Sequence, residues 1–174
     1  MVSIKYIAFL RGINVGNIRI KMLDLKAAFE QMGFQAVKTY LQTGNVVFES
    51  DKTVETIKAT LEKGLSATFH YEAYVLVYEF AVLADIIAQY PMLREEGHHA
   101  YVIFVENPAV FEELRNHAQN VGDESNNIAF GNGVIYWKVV VGQSTETPFS
   151  KTTAKTKYKS SVTMRNINTL EKMA

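Results

Sequence analysis

Residues able to do chemistry gather first in one short stretch, RGINVGNIRIK, which holds Arg11, Asn14, Arg19 and Lys21. The apolar run before it reads as a buried strand. Apolar positions after it recur at helical spacing, so the stretch is a strand-to-helix loop. A helix start presents unpaired backbone N–H groups and the positive end of the helix dipole. Three cations there are unfavourable unless they turn away or share a bound anion. With an anion, Gly12 and Gly16 would let backbone amides approach it, Arg11 would grip it in a fork, and Asn14 and Lys21 would add donors. In the alternative reading Asp24 already balances the dipole and the cations are solvated. The stretch is neither a Walker loop, since no Gly-Lys-Ser/Thr follows, nor a G-x-G-x-x-G turn.

Two further segments carry candidates. Thr43-Gly44-Asn45 lies between two strand-like runs and has the composition of a tight hairpin. In a split sheet the strand it opens lies beside, and antiparallel to, the strand that Arg11 closes. Thr43 and Asn45 would then share the sheet end with the Arg11 loop. Near the C-terminus, Lys151, Lys155, Lys157, Lys159 and Arg165 occur with no carboxylate among them, and Tyr158 is interleaved. That composition is compatible with tracking a phosphate backbone, although a solvated face is commoner. Arg165 and Asn166 precede a last helix, for which Asn168 and Glu171 read as N-cap and reciprocal partner. His98 and His99 beside Glu95 and Glu96 lack the i, i+4 spacing of a helical metal pair, so no metal site is assigned. His70 and His117 are isolated. Tyr6, Phe9 and Phe48 lie on the strands that carry base-stacking rings in RNA-binding sheets, but core packing explains them better.

The elements that position these residues follow from periodicity. Strands are predicted in Lys5 to Leu10, AVKTYLQ, NVVFES and EAYVLVY. Helices follow from Met22, Leu25, Phe29 and Met32, stopped by Gly33, and from Val54, Ile57, Leu61 and Leu65. The order is β-α-β-β-α-β, a ferredoxin-like half covering 1–78. Phe80, Leu83, Ile87 and Tyr90 mark a connecting helix, and MLREEGHH a polar loop, giving a link over 79–97. The remainder, 98–174, repeats the order. It has strands in AYVIFVE, NIAF, VIYWKVVV and SVTM, a helix capped by Asn107-Pro108, a hairpin at Gly131-Asn132-Gly133, a helix opened by Thr147-Pro148 and a closing C-terminal helix. The expected fold is α+β, two ferredoxin-like halves related by duplication.

Composition bounds the function. The chain has 174 residues, and 18 basic residues balance 18 acidic ones, so no global field favours nucleic acid or acidic lipid. There is no cysteine, which excludes disulfides, thiolate nucleophiles and cysteine-held metals. No apolar run approaches the ~20 residues of a membrane span, and the start does not read as a signal peptide. A cytoplasmic protein with no membrane partner is expected.

YIAFLRGINVGN, KTYLQTGNVVFES and VTMRNINTL together resemble a widespread bacterial family of uncharacterised proteins, a domain of unknown function. The family pattern runs Arg-Gly-Ile-Asn-Val-Gly-Gly, then Ser-Gly-Asn-Val, then Thr-Arg-Asn-Trp-Asn-Thr. Here Asn17 replaces the second glycine, Thr43 the serine, Met164 the threonine and Ile167 the tryptophan. The resemblance implies two ferredoxin-like halves and no activity.

The leading expectation is a site for a small anionic, phosphorylated or nucleotide-like ligand. Arg11, Asn14 and Lys21 would grip it, Thr43 and Asn45 orient it, and Arg165 with Asn166 close it. Whether the ligand is turned over is left open, and no catalytic residue or cofactor is identified. One alternative is a non-catalytic nucleic-acid-binding module using 151–165. Another is a structural or protein-interaction domain in which these motifs only cap helices and turn hairpins.

Overall fold

The computed structural model describes residues 2–174. It forms two compact units, Met1–Leu83 and Ala84–Ala174. In the first, β1 (Ile4–Arg11), α1 (Met22–Gln31), β2 (Gln35–Tyr40), β3 (Asn45–Ser50), α2 (Val54–Phe69) and β4 (Tyr74–Glu79) follow in the split order. The sheet runs β2-β3-β1-β4 with every neighbour antiparallel. Phe9 stands opposite Asn45 and Arg11 opposite Tyr74, so β1 is central and its C-terminal end faces the hairpin into β3.

The apolar periodicities give the core. Tyr6, Ala8 and Leu10 of β1 alternate onto one face of the sheet, where Leu25 and Phe29 of α1 and Ile57, Leu61 and Leu65 of α2 cover them. Phe29, Phe34 and Phe48 meet with ring centroids 4.9 to 5.9 Å apart. Each large apolar side chain buried this way contributes roughly 1.5–3 kcal/mol. Met22 and Met32, at the ends of the predicted stripe, are half-buried against the same cluster. The Thr53 hydroxyl caps α2 by accepting from the Thr56 amide at 3.2 Å.

A short helix, α3 (Val82–Ala88), spans the boundary between the units and covers only part of the predicted connecting stripe, since Phe80 and Tyr90 lie outside it. The second unit continues with β5 (His98–Val105), α4 (Pro108–Ala118), a 3₁₀ turn at Gly122–Asn127, β6 (Ile128–Phe130), β7 (Val134–Val140), α5 (Pro148–Thr153), a 3₁₀ turn at Thr156–Tyr158, β8 (Val162–Asn166) and α6 (Ile167–Met173). Its sheet, β6-β7-β5-β8, repeats the antiparallel order of the first. Both units are therefore ferredoxin-like and the protein is α+β. Trp137 centres the second core, stacked on Tyr101 at 5.6 Å and edge-on to Phe149 at 6.0 Å. Asn107 accepts from the Ala109 amide at 2.8 Å and Thr147 from the Ser150 amide at 3.0 Å, starting α4 and α5 where the sequence places them.

Two local expectations are corrected. His98 and His99 are not in a loop, because the ladder with β7 begins at His98 opposite Val140 and draws both into β5. Asn166, not Asn168, caps α6, accepting from the Asn168 amide at 2.9 Å. No helix among the described residues is long and apolar enough to cross a membrane.

Candidate functional site

The Arg11 loop and the Thr43–Asn45 corner form one piece of structure in the first unit. The Leu10 amide donates to the Gly44 carbonyl at 2.8 Å, tying the end of β1 to the turn. Gly44 has φ +91°, and a Cβ there would lie 2.7 Å from Leu10 Cβ and 2.9 Å from Ile13 Cδ1. Only glycine fits that approach. Asn14, itself left-handed at φ +55°, accepts from the Ile20 amide at 3.0 Å and donates to the carbonyls of Ile20 at 3.2 Å and Gln42 at 2.6 Å. Asn45 is 0% exposed and donates to the Tyr40 carbonyl at 2.9 Å and the Thr43 hydroxyl oxygen at 2.7 Å.

These bonds account for the amide donors of both asparagines. A side-chain amide has two hydrogens, and those of Asn14 and of Asn45 are both engaged within the protein. Within the fold, Asn14 and Asn45 act as struts that shape the sheet end.

Arg11 is different. It is half-buried, and its buried Nε has no hydrogen-bond partner among the described residues. Burial holds the guanidinium pKa below its usual value. Lys21, at the N-cap of α1, and Arg19 are exposed nearby in sequence, with Arg19 donating to the Ile18 carbonyl at 3.1 Å. Asp24 sits in the first turn of α1.

In the second unit Arg165 is inside β8, opposite Val102 and only 7% exposed. Its Nη1 donates to the Thr163 hydroxyl at 2.7 Å and the Met164 carbonyl at 2.9 Å. Asn166 is engaged as the cap of α6, and its amide approaches His99 Nδ1 at 3.4 Å. Both residues thus have structural work. The basic stretch is also partly consumed. Lys157 and the Tyr158 hydroxyl converge on Glu113 at 2.5 and 2.7 Å, and Tyr158 is 2% exposed, so its ring is core rather than a stacking surface. Lys157 and then Tyr158 hold the Glu113 carboxyl below its ordinary range, and Glu113 in turn raises Lys157. Tyr6, Phe9 and Phe48 are likewise buried, which removes the exposed rings an RNA-binding sheet needs.

Reasoning from sequence passed over a cleft of about 250 Å³ in the second unit. Arg94 and Glu95 from the segment before β5, His98 and His99 from β5, and Lys138 from β7 line it. Lys138 and His98 each bind Glu95, at 3.1 and 3.2 Å. Arg94 reaches α6, donating to Asn168 Oδ1 at 2.5 Å and pairing with Glu171 at 2.9 Å. With Asn166 as the cap, the reciprocal position falls on Thr169, and Glu171 is left to pair with Arg94. The legible signal was the charged run REEGHH itself, which reads in sequence as a polar loop without metal-pair spacing.

A family model described as a protein of unknown function, DUF1697, matches residues 4–136. The chain belongs to that family. The match covers all of the first unit's elements, including the Arg11 loop and the Thr43–Asn45 corner, and ends in the first half of β7. Among solved structures, a conserved bacterial protein of Streptococcus pneumoniae, SP0830, is similar at 20% identity and a TM-score of 0.79, over 99% of this chain and 97% of that one. At that identity the likeness concerns the fold. No curated protein matches the chain.

Chemically, the first unit offers a half-buried guanidinium whose Nε has no partner among the described residues, with exposed cations nearby in sequence. The second offers a cleft whose cations are already paired with carboxylates.

Proposed function

We propose that the protein binds a small anionic ligand, a phosphate- or carboxylate-bearing molecule, at the Arg11 end of the first sheet, and that it does so in the cytoplasm, where a cysteine-free chain is at home. One observation carries the reading: Arg11 is half-buried, and its buried Nε has no partner among the described residues. A charge withdrawn from water is costly unless something compensates it. A planar guanidinium is best compensated by a two-oxygen anion. In this reading Arg11 grips the anion and Lys21 adds charge. Asn14, Thr43 and Asn45 hold the loop and hairpin in shape around them. Arg165 and Asn166 are left out of the site, since each already has a structural role.

The nucleic-acid alternative would rest on Lys151, Lys155 and Lys159 without a stacking ring, because Tyr158 is buried. Thermal unfolding of wild type and Arg11→Ala against inorganic phosphate, sugar phosphates, nucleotides, polyphosphate and short oligonucleotides tests the reading. A ligand at 100 times its dissociation constant adds about 2.7 kcal/mol, a rise of several degrees for a chain of this size. A rise in wild type that vanishes in Arg11→Ala supports the site. A rise with oligonucleotides alone, falling by about 0.7 to 0.9 log units of affinity per contact per decade of salt, would move the function to the basic stretch. No rise with any compound would leave an interaction domain.

A further inference from the structure

The cleft of the second unit is separate from the Arg11 reading and uses none of its residues. Its volume, about 250 Å³, equals that of about eight water molecules, room for a small organic molecule rather than a nucleotide. Two fixed cations, Arg94 and Lys138, face one lining carboxylate, Glu95, so the wall is positive by one charge before either histidine is counted. Glu95 is held on both of its oxygens, by His98 and Lys138. Arg94 is held from outside the lining by Glu171, an exposed side chain that can swing away. That pairing, at 2.9 Å, shows that the Arg94 guanidinium takes an oxyanion partner. Tyr90, on the same wall, keeps a buried hydroxyl with no hydrogen-bond partner among the described residues. A buried donor left unpaired is costly, and an acceptor from a ligand would relieve it. The Tyr90 ring is meanwhile fixed edge-on to Tyr136 at 5.6 Å.

We propose that this cleft is a second binding site, for a small organic oxyanion that takes the place of Glu171 on Arg94 and accepts from the Tyr90 hydroxyl. Lys138, His98 and His99 form the positive wall behind it. A carboxylate and a phosphate ester share this chemistry, and the test separates them.

The experiment is a titration of the full chain with malate and, separately, with glycerol 3-phosphate, following the ring signals of His98 and His99 by NMR. It is run on wild type, Arg94→Gln, Tyr90→Phe and Arg11→Ala. Wild type should show saturable shifts, tighter for malate if the natural ligand is a carboxylate and tighter for glycerol 3-phosphate if it is a phosphate ester. Arg94→Gln should weaken binding about tenfold or more, and Tyr90→Phe, which keeps the ring and loses only the hydroxyl, about fivefold. Arg11→Ala should bind as wild type does, so failure at one site leaves the other standing. Unshifted histidine signals in wild type at roughly 10 mM of either anion, or wild-type affinity in both Arg94→Gln and Tyr90→Phe, would overturn the proposal.

Discussion

Arg11 closes β1 of the first ferredoxin-like unit, Arg165 lies within β8 of the second, and their surroundings differ. Arg165 is buried and bound to Thr163 and Met164. Arg11 is half-buried, and its buried Nε lacks a partner among the described residues. The surrounding polar groups divide the other way. In the first unit Asn14 and Asn45 are engaged within the protein, and the buried Arg11 Nε has no partner among the described residues. In the second, Arg94 and Lys138 are paired with carboxylates, and the Tyr90 hydroxyl on the cleft wall has no partner among the described residues. A shared topology therefore fixes where strands end, while the loops decide which polar group remains for a ligand.

The hairpins sharpen this contrast most. Gly44→Ala must drive a Cβ to within 2.7 Å of Leu10 and hold φ +91°, so it should cost about 3 kcal/mol of the first unit's stability. Gly133→Ala, at φ +72° with only the Val105 carbonyl at 3.7 Å, should cost about 1–2 kcal/mol by denaturant unfolding. Equal losses would break the comparison.

Asn45→Ala, which takes a fully buried side chain away from the Tyr40 carbonyl and the Thr43 hydroxyl, should cost about 2 kcal/mol. Asn14→Ala should cost about 1–2 kcal/mol, and more than Asn14→Gly, because glycine accepts φ +55° without strain. Retained stability in both alanine variants, with loss of ligand binding, would return the asparagines to the ligand.

The smallest effect belongs to Glu113. Its pKa is depressed by Lys157 and Tyr158, so its contribution is present above the ordinary carboxylate range and is lost as pH falls through the lowered folded value. Lys157, raised by Glu113, contributes below the ordinary lysine range and loses that contribution as pH rises through its raised value. Glu113→Gln should be slightly less stable than wild type between those limits and match it in acid, as pH-dependent melting would show.

The fold was legible because Leu25 and Phe29, and Ile57, Leu61 and Leu65, keep helical period while the strands keep period two. Ends were harder. The stretch RNIN offers two asparagines for one cap, and β8 runs into α6 with no loop to choose between them. Glu171 looked like the reciprocal partner because it lies three residues after Asn168, and its actual partner, Arg94, lies far away in sequence. The same blindness hid the site. Asn14 is engaged by Gln42, 28 residues on, and the cleft collects Arg94, Lys138 and Asn168 from three distant segments. Type and spacing flagged Arg11, but its desolvation appears only once the sheet is assembled.

Urea unfolding of wild type and Arg11→Met without any ligand tests the central claim most directly. If Arg11 has no partner within the protein, removing its charge should leave stability within about 0.5 kcal/mol of wild type or raise it, since an unpaired, desolvated cation is lost. A loss of about 2 kcal/mol or more would mean that the guanidinium already has its counterpart inside the fold, and the anion site would fall with it.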